Sequence, residues 1–350
     1  MESLVSAFVV DLHIVLVLVV IAGALAVIVK GADLLVDEAV ALSVTWGVPK
    51  MLIGATIVSL GTTLPETAVS VMAAARGLPG LALGNAVGSI IADTGLILGL
   101  AAIIGVVPIE KRVVNRQSWI QVGSAGLLIV ASLPFLSLRT VFADGGRIPQ
   151  WVGAGFLCLL VLYIWRSIAW SRRDSATGAA GPIAIEEDRI HPTAHPVVSL
   201  LKLLAGIALV VVGSQILIPA VEETAHRLRI PDAIIAATFV ALGTSLPELV
   251  TAIAAVRKGH GELALGNVIG ADILNVLFVA GASAALTPGG LLVPPEFFRL
   301  YFPSMIFVIA VLRFGISGSR DRLGRPAAIA LLVAYVITVA AGYLLPVASL

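Results

Sequence analysis

Apolar runs long enough to cross a bilayer recur along the chain, each closed by a short polar segment. A transmembrane helix needs about 20 apolar residues. Runs of this kind fall at residues 13–43, 50–76, 80–107, 117–138 and 151–168, and again at 197–222, 231–257, 262–287, 298–314 and 326–347. The pattern predicts ten helices in two groups of five. Between the groups, residues 171–196 (SRRDSATGAAGPIAIEEDRIHPTAHP) are rich in charge, Gly and Pro and have no apolar period, so they read as an extramembrane linker between residues 1–170 and 197–350. His191 and His195 each precede a proline there, and loop polarity accounts for them better than metal binding.

Composition supports this reading. The 350 residues are 59% hydrophobic and 12% charged, with mean hydropathy +1.07. An average soluble domain carries about 25% charged residues. A secreted domain, a disordered chain and a nucleic-acid binder are thereby excluded, and an integral membrane protein is expected. The net charge of +1 offers no field that selects a charged partner. One cysteine, Cys158, excludes an internal disulfide. Glu2 and Asp11 stand where a signal peptide carries basic residues, so the first apolar run is expected to remain. Lys and Arg set the orientation. With both termini outside, 15 basic residues fall on the inner side and 6 on the outer, which places the 171–196 linker in the cytoplasm. Lys30 and Asp33 read as a local ion pair or as interface anchors near the end of the first span, and Asp37 and Glu38 as reaching the inner interface or the adjoining helix.

The halves repeat one another. Gly61-Thr62-Thr63-Leu64-Pro65-Glu66 recurs as Gly243-Thr244-Ser245-Leu246-Pro247-Glu248, and Leu81-Ala82-Leu83-Gly84-Asn85 recurs as Leu263-Ala264-Leu265-Gly266-Asn267. Both shifts are 182 residues, and 21 of 51 positions are identical when 49–99 is laid on 231–281. Five spans separate equivalent points, so the second copy crosses the membrane in the opposite sense. The expected fold is an all-α membrane protein of ten transmembrane helices in two inverted five-helix repeats, the architecture of secondary transporters with a site near the midplane. The repeat cores lie at about 49–107 and 231–287.

The repeated motif carries chemistry. Proline inside a helix removes an amide donor and clashes with the carbonyl four residues back, so Pro65 is expected to disturb Gly61, and Pro247 to disturb Gly243. Thr62 and Glu66 share a helix face, as do Thr244 and Glu248. Hydroxyl, carboxylate and freed carbonyl oxygens then sit together, which is a hard-cation ligand set. In the next helix Asn85, Ser89 and Asp93 form one polar stripe. The second copy places Asn267, Ala271 and Asn275 on the matching stripe, with Asp272 rotated off it. No Cys or His joins these candidates, which favours calcium or sodium over zinc, copper or iron. An ionisable residue within a span is a functional candidate by default, and Glu66 and Glu248 lead the set. No enzyme motif stands out. Asp93-Thr94-Gly95 matches the short aspartic-protease signature without the β-rich setting that chemistry needs.

Two copies of G-T-[ST]-L-P-E, each followed by a G-N-x-x-G helix, resemble the α-repeats of the calcium/cation antiporter superfamily, in its prokaryotic sodium/calcium exchanger-like branch. The resemblance implies that Glu66 and Glu248 hold calcium, helped by Thr62 and Thr244. It implies sodium ligands from the same glutamates, the carbonyls of Ser59 and Ala241, and the hydroxyls of Thr63, Ser245 and Ser89. It also implies roles for Asp93 and Asn275, with the acid and amide reversed relative to the family's usual Asn-then-Asp order. Ala271 stands where the family has a serine.

The expected function is alternating-access exchange of Ca2+ against Na+ in a prokaryotic inner (cell) membrane, with no cofactor, with Ca2+ and Na+ as substrates, and with the lipid bilayer and no nucleic acid as partner. Two converging carboxylates repel in a low-dielectric site, so the empty site resists rearrangement while one calcium or several sodium ions release it. Proton/calcium or potassium-dependent exchange is the nearest alternative. A channel, a scaffold and an intramembrane aspartyl protease are remoter ones.

Overall fold

The computed structural model describes residues 10, 12–135, 138–176, 196–228, 243–319 and 321–344. The expected 171–196 linker falls chiefly at 177–195, outside the described residues, as do the first part of the 231–257 span and Ala241. The chain forms α1 (Ile14–Trp46), then α2 (Lys50–Thr62) and α3 (Leu64–Ala75), which meet at a 45° bend, then α4 (Pro79–Ile104) and α5 (Lys111–Ser132). Strand β1 (Gly146–Ile148) precedes α6 (Gln150–Ala176). The second half holds α7 (Pro196–Arg227), α8 (Leu246–Arg257), α9 (Gly261–Leu286), β2 (Leu291–Val293), α10 (Phe297–Gly318) and α11 (Arg325–Leu344).

Among the described residues seven helices are long and apolar enough to cross a membrane, or eight if the bent α2–α3 pair counts as one span. Three sequence expectations shift. The fourth helix covers Lys111–Ser132 rather than 117–138. Its polar start at Lys111, Arg112 and Arg116 is helical all the same, and Pro134 disfavours helical geometry at Leu133, the C-cap residue. Helix α6 continues to Ala176, six residues into the expected linker. Asp33 pairs not with Lys30 but with Lys258 at 3.3 Å, and Lys258 also holds Asp37 at 2.9 Å. Lys202 reaches Glu38 at 3.3 Å, as the adjoining-helix reading of Glu38 requires. Cys158 is free and exposed on α6.

The two halves interlock through reciprocal contacts. Helices α1 and α7 cross where glycine lets backbones meet. A Cβ on Gly31 would lie 2.9 Å from the Val210 nitrogen and 3.0 Å from the Gly206 oxygen. One on Gly213 would lie 2.6 Å from Ile28 and 3.4 Å from the Ala24 oxygen. Positions 31, 24 and 28 become 213, 206 and 210 under the 182-residue shift, so each half offers the other the same surface. The segment after α4 pairs with the one before α11, Ile109 N–H donating to Asp321 O and Leu323 N–H to Val107 O, both at 2.8 Å. The segment after α9, β2, pairs antiparallel with β1 before α6. Helix α9 lies at the centre, with 94% of its most apolar stretch buried, against 17% for α11 on the rim.

Tight α2–α9 packing makes one position decisive. A Cβ on Gly266 would sit 2.1 Å from the Met51 carbonyl oxygen. Gly266→Ala is expected to cost about 1–3 kcal/mol by overpacking and to lower the melting temperature of the purified protein. Gly23→Ala, with nothing within 4 Å of the new methyl, is the control and should melt like the parent. Equal melting of the two variants would contradict the close approach.

Candidate cation site

The repeated motif places the same turn in both halves. Thr63 (φ −80°, ψ 0°) and Ser245 (φ −85°, ψ 9°) adopt the same turn, and each is followed by a helix with proline in its first turn. Proline is tolerated there because first-turn amides have no intrahelical acceptor. Pro65 therefore opens α3 after a break at Thr63, rather than kinking a continuous helix as the sequence suggests. Both second helices end in a left-handed glycine, Gly77 (φ 74°) and Gly259 (φ 81°). The break places Glu66 and Glu248 in the first turn of α3 and α8, where the helix dipole favours negative charge.

Each motif turn is tied to the other half. Thr62 Oγ1 bonds Asn267 Oδ1 on α9 at 3.5 Å, and Thr244 Oγ1 bonds Asn85 Oδ1 on α4 at 3.1 Å. These contacts are equivalent under the repeat. The Asn85 amide also donates to the Glu66 carbonyl at 3.2 Å and to Ser70 Oγ at 3.0 Å, which binds α3 to α4. Symmetry breaks at the next hydroxyl. Ser245 Oγ meets Ser89 Oγ at 3.1 Å. Its counterpart Thr63 faces Ala271 instead of a serine under the repeat, and turns to Glu248 Oε1 at 3.4 Å.

Glu66 and Glu248 are each only 1% exposed. Neither oxygen of Glu66 has a hydrogen-bond partner, and neither has Oε2 of Glu248. Asp93 and Asn275 are also buried, each with an unpartnered Oδ1. Both lie in π-helical turns, Ala92–Ile97 in α4 and Asn275–Ala280 in α9. Such turns concentrate at functional sites because the extra residue re-aims side chains. Glu66 is within electrostatic reach of Glu248 and Asp93, and Ser245 lies beside both Glu66 and Asp93. Buried carboxylate oxygens without donors are costly, and a hard cation offsets that cost.

The structure thus gathers Thr62, Thr63, Glu66, Ser89, Asp93, Ser245 and Glu248 around one interior region, with Thr244 partly exposed and Asn275 buried in the π-turn of α9. The Ser59 carbonyl already accepts from Thr63 N–H at 2.9 Å and from Thr62 Oγ1 at 3.3 Å. Asp272 is directed to another set of partners, its Oδ2 accepting from Thr94 and from the Gln121 amide. Among the described residues no three His, Cys, Asp or Glu side chains form a metal cluster. Hydroxyls and amides complete the oxygen set instead. A cavity of about 120 Å³, lined among others by Pro65, Asn85, Gln215, Glu222, Thr244 and Pro247, borders the Asn85–Thr244 bond.

Sequence reasoning passed over α5 and α6. Gln117 Oε1 accepts from the Tyr163 hydroxyl at 3.1 Å, and that hydroxyl also lies 3.0 Å from the Ala55 carbonyl. Gln117, Gln121 and Ser124 recur at helical spacing within an apolar span and are buried, a signal visible in the chain.

Comparison with known proteins gives the family. The profile of the family described as sodium/calcium exchanger protein matches residues 16–169 and again 198–344. The inner membrane protein YrbG of Escherichia coli (strain K12) is 35% identical over 271 residues, covering 76% of this chain and 78% of that protein. The sodium/calcium exchanger MaX1 of Methanosarcina acetivorans is 29% identical over 312 residues, covering 83% and 88%. The solved structure of the sodium-calcium exchanger NCX_Mj soaked with zero Na+ and Ca2+ superposes with a TM-score of 0.75 at 26% identity, covering 94% of this chain and 99% of that one. This chain is an integral membrane protein that belongs to the sodium/calcium exchanger family.

Proposed function

We propose that the protein is a secondary active antiporter that exchanges Ca2+ for Na+ by alternating access. The observation that carries this is the pair of buried glutamates, Glu66 and Glu248, facing one interior region with three unpartnered carboxylate oxygens between them. Calcium takes the two carboxylates, with Thr62 and Thr244 beside them. Sodium ions use the same glutamates with Thr63, Ser245, Ser89, the Ser59 and Ala241 carbonyls, Asp93 and Asn275. Asp272 stands at the edge of this set. Shared ligands make occupancy by the two ions mutually exclusive. An empty site leaves like charges facing each other in a low-dielectric interior, so rearrangement proceeds only when cations are bound. Obligatory exchange follows.

Ten spans in two inverted five-helix repeats, 1–170 and 197–350, carry the motion. The reciprocal glycine contacts of α1 and α7 and the crossed strand pairs at the ends support this arrangement. Rocking of α1 and α7 over the two motif turns would expose the site to alternate sides. The cavity at Asn85 and Thr244 borders the site from the α7 side. With both termini outside, the 171–196 linker is cytoplasmic in a prokaryotic inner membrane.

Glu66→Gln or Glu248→Gln should weaken calcium binding by roughly 100-fold or more and abolish sodium-driven calcium uptake into proteoliposomes. Undiminished uptake by both variants would overturn the assignment. For orientation, Ala184→Cys in a Cys158→Ala background should react with a membrane-impermeant thiol reagent in inside-out vesicles and not in intact cells. Labelling in intact cells would reverse the topology.

A further inference from the structure

Two acids on α1 and one lysine at the end of α8 close one side of the molecule. Asp33 and Asp37 lie one helical turn apart on the same face of α1. Lys258, the C-cap residue of α8, reaches both, with its Nζ 3.3 Å from Asp33 Oδ1, 3.0 Å from the Asp33 carbonyl oxygen and 2.9 Å from Asp37 Oδ1. All three side chains keep contact with water, with 26% of Lys258, 43% of Asp33 and 63% of Asp37 exposed.

The 182-residue shift carries Asp33 and Asp37 of α1 to Gln215 and Pro219 of α7, and relates Lys258 to Arg76, the C-cap residue of α3. The second contact thus keeps the base and lacks both acids. Glu222, the next acid on α7, stands three residues beyond Pro219 at the counterpart of Val40, and is itself engaged by another group. Gln215 and Pro219 line the cavity of about 120 Å³, together with Val69, Leu81 and Ile218. The counterparts of those three, Thr251, Leu263 and Val36, are each 0% exposed. The same surface is therefore closed where α1 meets α8 and open where α7 faces α3 and α4, and the ion pairs fall on the closed side.

We propose that Lys258, Asp33 and Asp37 form a one-sided latch that holds α1 against α8 and keeps the protein at rest with its Asn85–Thr244 side open. The proposal rests on the alternating-access reading, in which α1 and α7 exchange roles between two conformations related by the repeat. Passage to the other conformation parts α1 from the end of α8 and breaks these ion pairs. Closure of α7 on the end of α3 then brings Arg76 to a glutamine and a proline, and forms no equivalent. Two halves of otherwise matching design are left unequal in energy. Exposed ion pairs shift an equilibrium only a few-fold each, so the latch biases the two conformations by roughly tenfold and ion binding can still overcome it. On the proposed topology the latch is cytoplasmic and the cavity opens outward, so the resting site is presented to ions outside the cell.

Single-cysteine reporters in a Cys158→Ala background test the latch by their rate of reaction with a water-soluble maleimide, in purified protein in detergent and in buffer free of calcium and sodium. Val36→Cys and Thr251→Cys report the closed side, and Ile218→Cys reports the cavity side. Lys258→Met should speed labelling of Val36→Cys and Thr251→Cys by roughly tenfold and leave labelling of Ile218→Cys the same or slower. Asp33→Asn/Asp37→Asn should act alike, and the triple variant should add nothing further, because all three side chains act through one contact. Unchanged labelling of both closed-side reporters in Lys258→Met would overturn the latch. So would equal acceleration at all three reporters, which marks loosened packing rather than a shift between two conformations. Sodium-driven calcium flux of the parent tests the exchange reading by itself: a failed latch leaves that flux intact, whereas a failed exchange reading removes it.

Discussion

Carboxylates held in a membrane interior without counter-charge set the terms for the rest of this molecule. Glu66 and Glu248 are fully enclosed, yet three of their four oxygens lack a donor. Such a state persists only where surrounding structure enforces it. Here the enforcement comes from the turns at Thr63 and Ser245, which let each acid sit at a helix N-terminus, and from the Thr62–Asn267 and Thr244–Asn85 bonds, which fasten each turn to the opposite half. The close glycine contacts at Gly54, Gly266 and Gly270 bring α2 and α9 together behind the acids. On the proposed reading, arriving cations supply the positive charge this frame leaves out.

Symmetry provides the frame, and departures from it adjust the site. Equivalent threonines and asparagines bond reciprocally, and the segments flanking the central helices pair across the halves at both ends. Ala271 removes one hydroxyl, and Thr63, the residue that would face it, turns to Glu248 instead. Asp272 adds a carboxylate where the first repeat has isoleucine, and α5 supplies Gln121 to meet it. On the proposed reading, two alternating conformations need two halves that are nearly interchangeable, and ion preference rests on the few positions where they differ.

Much of this was legible in the chain. The doubled Gly-Thr-x-Leu-Pro-Glu motif marked both glutamates and their neighbours, because a carboxylate beside Gly, Thr and Pro within an apolar run has few structural uses. Apolar spacing located most of the described helices to within a few residues; the exceptions are α6, which runs past its expected end at 168 to Ala176, and α5, whose charged first turns mask a helix that hydropathy alone starts too late. The π-turns at Asp93 and Asn275 were not legible, since the extra residue per turn depends on tertiary packing and leaves no period in the sequence. Nor was the partner of Asp33, because Lys258 lies 225 residues away and only the fold brings them together. The roles of Gln117, Gln121 and Tyr163 depended on knowing which face of α5 turns inward.

The central claim is that cation occupancy couples calcium to sodium through shared ligands. Calcium uptake into proteoliposomes under separately imposed sodium and proton gradients tests it most directly. An outward sodium gradient at equal pH should drive uptake, and a pH gradient in sodium-free buffer should not. Uptake driven by the pH gradient alone, with none driven by sodium, would contradict the account.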